Sequence, residues 1–234
     1  MAVAACIMPD WHAAPGVRAL STTRAAGDMA RPSSVPPGLP AAPRWLRQVH
    51  GIAVADLDHL QPDGEAPPAD ASFTTRAGVV CVVRTADCLP VLLSACDGSA
   101  VAAAHAGWRG LAAGVIEATV SALRERCGSG LTLQAWLGPA IGPGHFEVGE
   151  EVRTAFLDAD AGAVNAFRPG RDGRWLCDLA ALARRRLAAC GIQQIAGGGL
   201  CTYADEARFF SHRRDVQHRG LDATGRMASC IWRN

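Results

Sequence analysis

The chain has 234 residues, 49% of them hydrophobic and 19% charged, and its 23 basic and 22 acidic residues leave a formal charge of +1. All the basic residues are arginine, which excludes Schiff-base catalysis by a lysine and a phosphate-binding loop built on one. Near-neutral charge, with arginines spread along the chain, argues against a nucleic-acid binder and against a membrane surface as partner. The apolar fraction is ample for a large core, so we expect a folded protein.

No apolar run reaches the length of a transmembrane helix, and residues 1–11 lack the basic start and sustained apolar stretch of a signal peptide. The nine cysteines are an odd number, and most lie in apolar segments, which is typical of reduced thiols rather than of a disulfide framework. These features predict a cytoplasmic protein.

The first half of the chain contains two proline-rich stretches and then three short apolar runs. Residues 30–43, with five prolines including Pro32, and residues 61–71, with three including Pro62, cannot form a helix or a central strand. We interpret both as loops. The β-branched and apolar runs at 78–85, 89–95 and 100–105 predict buried strands.

The second half alternates helices and strands. Apolar residues recur at helical spacing within 110–128, and Gly128 supplies a helix stop, so one long helix is predicted there. The remaining predicted elements are strands at 131–137, 175–179, 192–196 and 227–232 and helices at 149–157 and 180–189. This order favours an α/β fold, with α+β as the alternative, in which helices cover mixed sheets. We expect a single domain over 1–234, with a proline-rich segment at 1–43 and the motifs within 44–234.

Three residues carry the most informative chemistry: His50, Cys88 and His105. Cys88 and His105 lie at the ends of predicted strands, where sites are built in α/β sheets, and His50 would have to reach them from a neighbouring loop. One thiolate and two imidazoles form a plausible three-ligand set for Zn²⁺ with an open fourth position, and copper would accept the same ligands. A metal-free alternative uses Cys88 as nucleophile and His105 as base, oriented by Asp87 or His50. The residues alone leave both alternatives open.

Arginines are the second group of candidates. Arg109 is predicted just before the N-terminus of the long helix, where backbone N–H groups favour an anion, and a guanidinium there would bind phosphate through two hydrogen bonds. Surface ion pairs are the alternative role for such residues. The candidate phosphate or substrate contacts are Arg47, Arg109, Arg213, Arg214 and Arg226.

A Gly/Pro-rich loop follows the strand at 131–137 and carries His145, expected to be exposed, and Glu147. Such a loop either brings backbone close to a ligand or forms a rigid turn. Tyr203, the only tyrosine, either stacks on a base or fills the core.

The chain resembles the YfiH-type family, formerly described as multicopper polyphenol oxidases with a laccase domain. The resemblance runs from about residue 44 to the C-terminus. It rests on QVHG at 48–51, TADCLPVLL at 85–93, AAHAGWRG at 103–110, LGPAIGPGHFEVGEEV at 137–152, CTY at 201–203, and RFFSHRRD and TGRMAS within 208–229. It implies an α/β fold with zinc bound by His50, Cys88 and His105.

The resemblance also implies an activity and its partners. Family members are associated with phosphorolysis of adenosine, inosine and methylthioadenosine to the base and ribose 1-phosphate, and with deamination of adenosine. The expected partners are therefore purine nucleosides and phosphate, with a homodimer as an option. The candidate arginines would hold phosphate, and Asp87 or Glu147 is a candidate proton shuttle.

Histidine number tests the older oxidase description. A four-copper oxidase uses on the order of ten His, several in His-x-His pairs, whereas this chain has seven and no such pair. This argues against a multicopper cluster, although a copper polyphenol oxidase with one ion stays an alternative. The other is a metal-free Cys-His hydrolase or peptidoglycan-editing factor.

The chain departs from the family pattern near its start. The segment Ser21-Thr22-Thr23-Arg24 is followed by AAGD at 25–28, where relatives usually carry Gly-Gly-Val-Ser and a later Asn. If this segment closes over substrate, its shortening alters specificity or rate.

Overall fold

The computed structural model describes residues 4–31, 33–61, 64–171 and 173–234. In chain order its strands are β1 (Cys6–Ile7), β2 (Val17–Thr22), β3 (Val54–Asp56), β4 (Ala71–Thr74), β5 (Cys81–Thr85), β6 (Leu89–Ala95), β7 (Val101–Ala106), β8 (Leu133–Leu137), β9 (Glu147–Val148), β10 (Phe167–Pro169), β11 (Trp175–Cys177), β12 (Gln194–Gly197) and β13 (Met227–Arg233). The α-helices are α1 (Trp108–Ala113), α2 (Val115–Cys127), α3 (Glu150–Leu157) and α4 (Leu179–Ala189). Short 3₁₀ turns cover Arg24–Ala26 and Ala161–Ala166, and a π-helical segment covers Arg213–His218.

The strands form three sheets. The largest has the order β12-β8-β6-β7-β4-β3, in which each edge strand runs parallel to its neighbour and the inner strands are antiparallel. An antiparallel sheet has the order β1-β2-β13-β5, and a small one has the order β10-β11-β9. The predicted mixed sheets with helices are confirmed.

Strand β6 shows how the layers pack, because side chains on a strand alternate between its faces. Leu93 packs on one face with Ile116 of α2 and Leu187 of α4. Leu92 packs on the other face with Val83 of β5 and Ile231 of β13. The six-stranded sheet is therefore covered by helices on one side and by the four-stranded sheet on the other.

Most predicted elements are present with small shifts at their ends. Strand β6 has the predicted bounds, and β5 begins three residues late because Gly78 adopts a positive φ of 76° in the preceding turn. Helix α4 begins one residue early because the Asp178 side chain caps it by accepting from Ala181 N–H. The proline-rich stretches 30–43 and 61–71 contain no helix, and strand only at Ala71, among their described residues; Pro32 and Pro62 lie outside these.

The single long helix predicted over 110–128 is wrong. Gly114 adopts a left-handed conformation with φ of 103°, which ends α1 and starts α2 in a new direction. Gly128 ends α2 as predicted. Strands β1 to β4, β9 and β10 and the π-helical segment had no separate prediction.

No helix in the described part of the chain is long and apolar enough to cross a bilayer.

Truncation of Leu92 tests the packing between the two large sheets. We expect Leu92→Ala, at a fully buried side chain, to lower the free energy of unfolding by about 2–5 kcal/mol through lost burial and a cavity. The matched control is Leu221→Ala, because Leu221 is 52% exposed and should lose far less. Urea unfolding measures both, and equal losses would contradict this packing.

Candidate metal centre

The sheet register brings Cys88 and His105 together. Cys88 lies in the turn between β5 and β6, and Pro90 of β6 is the partner of His105 on β7. Because β6 begins beside the end of its antiparallel neighbour β7, the thiol and the imidazole meet at one end of the sheet. His50 reaches the same place from the loop that precedes β3.

Donor atoms of His50, Cys88 and His105 lie within 4.8 Å of one another, so the three residues could hold a metal ion. The two imidazole rings meet edge to face, with centroids 4.8 Å apart. Gly107 leaves space beside these atoms. A Cβ there would lie 3.0 Å from Cys88 Sγ and 3.1 Å from His50 Cδ2.

The electrostatics of the group favour a thiolate. Burial opposes a charged Cys88, but the charge of His105 and hydrogen bonds from His105 and His50 outweigh it and lower the pKa of Cys88 to about 6. Burial likewise opposes a charged His105, yet Cys88 and Asp70 raise the pKa of this imidazole to about 9. Thiolate is the form in which cysteine binds metals.

Asp70 orients two of the three candidate ligands. Its fully buried carboxylate accepts from His105 Nδ1 at 2.8 Å, which leaves Nε2 of that ring turned toward the other ligands. It also accepts from the backbone N–H groups of Val49, His50 and Gly51 at 3.1, 2.9 and 2.7 Å. These three bonds fix the loop that holds His50 in its unusual conformation, with φ of 61°.

Asp70 was not predicted as a site residue because it lies at the end of a proline-rich loop. The one available signal was an acidic residue directly before a short apolar run, here β4. Pairing of β4 with β7 puts Asp70 beside His105, whose backbone N–H donates to the Asp70 carbonyl at 2.7 Å.

A cavity of about 790 Å³ opens over the candidate ligands. Five arginines line it, and among the described residues none of the five forms an ion pair with a carboxylate. They are Arg47, Arg84, Arg109, Arg213 and Arg226. Asp87 is the one acidic residue of the described lining, so the cavity is strongly cationic.

Arg84 is a cavity residue that the sequence analysis missed, although it is a charge near the end of an apolar strand. Its backbone is paired with the side chain of Gln48, which accepts from Arg84 N–H at 2.8 Å and donates to the Arg84 carbonyl at 2.9 Å. Burial lowers the pKa of Arg84, and the charge of Arg226 lowers it further. Two guanidinium groups therefore face a shared space without a carboxylate between them.

The other cavity arginines are held by local contacts. Arg109 lies inside the short helix α1, not before a long helix as predicted, and stacks on the Trp108 ring at 4.4 Å. Arg213 donates to the Glu147 carbonyl at 2.8 Å, and Arg226 donates to the Thr224 carbonyl at 2.8 Å. These contacts orient the side chains toward the cavity.

Asp87 sits in the β5–β6 turn with φ of 87°, and its carboxylate is already engaged. It accepts from Thr202 Oγ1 at 2.6 Å, Ser211 Oγ at 3.0 Å and Arg213 N–H at 2.7 Å. These bonds tie two separate segments, around Thr202 and at 211–213, to the turn that carries Cys88. The structure therefore favours a positioning role for Asp87 over the proton shuttle expected from sequence.

Arg214, Glu147 and Tyr203 are not part of the described cavity lining. The Arg214 guanidinium is buried against Asp215 at 2.9 Å and against backbone carbonyls, so it cannot also reach a ligand. The Glu147 carboxylate turns toward Arg171 at 3.6 Å. Tyr203 stacks on His145 instead of facing the cavity. We assign these three residues no substrate contact.

The proline-rich segment borders the cavity. Ala30, at its start, is part of the lining. Whether the shortened stretch after Arg24 alters specificity or rate stays a prediction.

The fold and the residues of the cavity are those of a known protein family. Residues 34–234 match the family described as multi-copper polyphenol oxidoreductase laccase, and the chain belongs to this family. The predicted resemblance to YfiH-type proteins is confirmed.

Individual relatives make the assignment more specific. The chain is 46% identical to a Xylella fastidiosa protein named purine nucleoside phosphorylase, over 97% of this chain and 96% of that protein. It is 45% identical to the Escherichia coli protein named purine nucleoside phosphorylase YfiH, over 97% and 98%. A crystal structure of the Neisseria meningitidis protein NMB0706 has a TM-score of 0.85 at 38% identity and covers 99% of this chain and 100% of its own. These relatives support an enzyme.

Replacement of Asp70 tests whether its carboxylate organises the metal ligands. We expect Asp70→Asn to weaken Zn²⁺ binding about 10–100-fold, because it removes an acceptor that orients His105 and the His50 loop. Competition against a chromophoric chelator measures the affinity.

The matched control is Asp56→Asn. Asp56 also pairs with a histidine, His59, at 2.9 Å, but at an exposed position away from the centre. Unchanged affinity in Asp70→Asn, with circular dichroism as wild type, would show that this carboxylate does not govern the ligands.

Proposed function

We propose that the protein is a zinc-dependent purine nucleoside phosphorylase. Its substrates would be adenosine, inosine and methylthioadenosine, cleaved with phosphate to the free base and a ribose 1-phosphate, and it would deaminate adenosine as a side activity. The observation that carries the proposal is one cavity in which the His50–Cys88–His105 group meets five arginines that pair with no carboxylate in the described part of the chain. The names of the relatives point to the same class of reaction.

The cavity has the two surfaces that this reaction requires. Trp108, Ile141, Phe146 and Leu179 form an apolar part of the lining, suited to a purine ring. The arginines supply the part suited to a phosphate dianion, since guanidinium groups form paired hydrogen bonds with phosphate oxygens. A volume of about 790 Å³ accommodates both reactants at once.

Arg84 and Arg226 are the proposed centre of the phosphate site. Burial lowers the pKa of Arg84 and the charge of Arg226 lowers it further, and an anion between the two guanidinium groups would relieve that repulsion. Arg47, Arg109 and Arg213 complete the cationic wall. No lysine exists in the chain to share this task.

The chain's residues would assist one displacement at the ribose. A phosphate oxygen forms a bond to C1′ while the bond from C1′ to the base nitrogen breaks, and the base keeps the electron pair and takes a proton. The cationic wall would hold the phosphate nucleophile in place for attack at C1′. The apolar wall excludes water, which would compete with phosphate.

The donor set fits zinc. One thiolate and two imidazoles leave a fourth position open, and Gly107 keeps side-chain atoms out of the space beside them. When bound, a zinc ion would supply a Lewis acid for oxygen and lower the pKa of a nearby water. Asp70 and Asp87 would keep the ligands in place.

The number of potential metal-binding side chains does not support the multi-copper chemistry in the family's description. Within the described residues, His50, Cys88 and His105 form the one group of three or more potential ligands. A cluster would need on the order of ten His, and the whole chain has seven. One copper ion would fit the same donors, so the metal must be measured.

Phosphate dependence tests the proposed reaction. We expect the zinc-loaded protein to convert inosine to hypoxanthine and ribose 1-phosphate only with phosphate, since the cavity holds phosphate and excludes water. Adenosine would give adenine with phosphate and inosine without it. Chromatography of the products measures both reactions.

Two outcomes would contradict the proposal. One is no free base and no inosine from protein with one zinc per chain. The other is oxygen uptake with phenols by copper-loaded protein, which would favour the oxidase alternative. A separate result, full zinc stoichiometry in Cys88→Ala, would remove Cys88 from the ligand set and leave it as a candidate nucleophile.

Arginine variants test the phosphate site separately. We expect Arg84→Gln and Arg226→Gln each to raise the KM for phosphate about tenfold or more, because each removes a charge-assisted contact of about 1.5–3 kcal/mol, while the KM for inosine changes little. Arg168→Gln, at an exposed position on β10, is the matched control. Equal effects on both KM values would contradict a phosphate-specific role.

A further inference from the structure

A second nucleophile, Cys201, lies outside the metal group. Cys201 follows β12, and its backbone forms an isolated parallel β-bridge with Ala140, which places it against the Gly/Pro-rich loop after β8. Two backbone N–H groups and one imidazole nitrogen lie beside its half-buried sulfur. Gly142 N–H lies 3.2 Å from Sγ, Ala204 N–H lies 3.4 Å from it, and His145 Nδ1 lies 3.5 Å from it.

This arrangement matches what activates a cysteine. Two backbone N–H groups donate to the sulfur and stabilise negative charge on it, and the adjacent imidazole can take up the thiol proton. His145 is half-buried, not exposed as expected from sequence. Its ring stacks on Tyr203 with centroids 4.5 Å apart, and the Tyr203 hydroxyl bonds to His218 Nδ1 at 2.9 Å. The imidazole is thereby held at the sulfur.

Other cysteines have surroundings of the opposite kind. Burial raises the pKa of six thiols and keeps them protonated: Cys6, Cys81, Cys127, Cys177, Cys190 and Cys230. Cys88 belongs to the metal group. Cys96 is more exposed than Cys201, but the described residues give its sulfur no hydrogen-bond donor.

We propose that Cys201 is a site of oxidation by hydroperoxides, paired with His145 and separate from the metal centre. The sulfur attacks one peroxide oxygen, the O–O bond breaks, and a sulfenic acid forms on Sγ. The departing oxygen takes the proton from the His145 imidazolium and leaves as water or an alcohol. Sulfur loses two electrons and the peroxide gains them.

Oxidation at Cys201 would change the shape of the cavity. Gly142 fits tightly against the sulfur, since a Cβ there would lie 3.1 Å from Sγ, so an added oxygen must displace the loop or break its hydrogen bonds. The next residue toward the strand, Ile141, lines the cavity. Thr202, directly after Cys201, holds the Asp87 carboxylate at 2.6 Å. The site therefore couples the redox state of one thiol to the shape of the cavity.

Relative labelling rates test the proposal without any nucleoside assay. The zinc-loaded protein is treated with hydrogen peroxide in the presence of dimedone, and in parallel with limiting iodoacetamide, and peptides are quantified by mass spectrometry. We expect Cys201 to carry the dimedone label and to react with iodoacetamide about tenfold faster than Cys96. Faster or equal labelling of Cys96 would overturn the proposal, because exposure alone would then set the rate.

A variant pair separates activation from accessibility. His145→Gln should slow both reactions of Cys201 about tenfold and leave Cys96 unchanged, because it removes the imidazole that takes up the thiol proton. His12→Gln, at an exposed histidine outside the cluster, should change neither rate. An unchanged Cys201 rate in His145→Gln would also overturn the pairing, and Cys201→Ser must abolish the dimedone label.

Discussion

The hydrogen bonding of one buried carboxylate determines the geometry of the candidate centre. Asp70 has no solvent contact, and it accepts from three consecutive backbone N–H groups and from His105 Nδ1. Burial raises the pKa of Asp70, but the hydrogen bonds from His105, Gly51 and Val49 outweigh it, so the pKa is lowered and the group stays charged. Because the same carboxylate orients the His105 ring and fixes the His50 loop, it sets the positions of two ligands together.

The cavity above this centre concentrates positive charge that the fold does not neutralise. Five guanidinium groups in the described lining face one carboxylate, which is itself occupied by three donors, and their mutual repulsion costs electrostatic free energy. An anion that enters relieves this repulsion, and the closest indication of it is the lowered pKa of Arg84, caused by burial and then by Arg226. The cavity beside the candidate ligands therefore favours an anion, which the proposed activity requires.

The proximity of Cys88 and His105 could be predicted from the sequence, because it depends only on which strands follow each other. Cys88 directly precedes β6 and His105 lies near the end of β7, and two consecutive apolar strands pair with each other. Asp70 was hidden because it ends a proline-rich loop and gains its role only when β4, the strand after that loop, pairs with β7. Arg213 and Arg214 show a different limit. They are adjacent in sequence, yet the π-helical segment turns one to the cavity and buries the other against Asp215.

X-ray absorption at the zinc edge of the loaded protein tests the central claim, that Asp70 assembles a centre of one sulfur and two imidazoles. The account predicts one sulfur at about 2.3 Å and two imidazole nitrogens at about 2.0–2.1 Å in the wild type, with the imidazole signal weakened in Asp70→Asn. A first shell without sulfur, or one with two sulfurs, would contradict it.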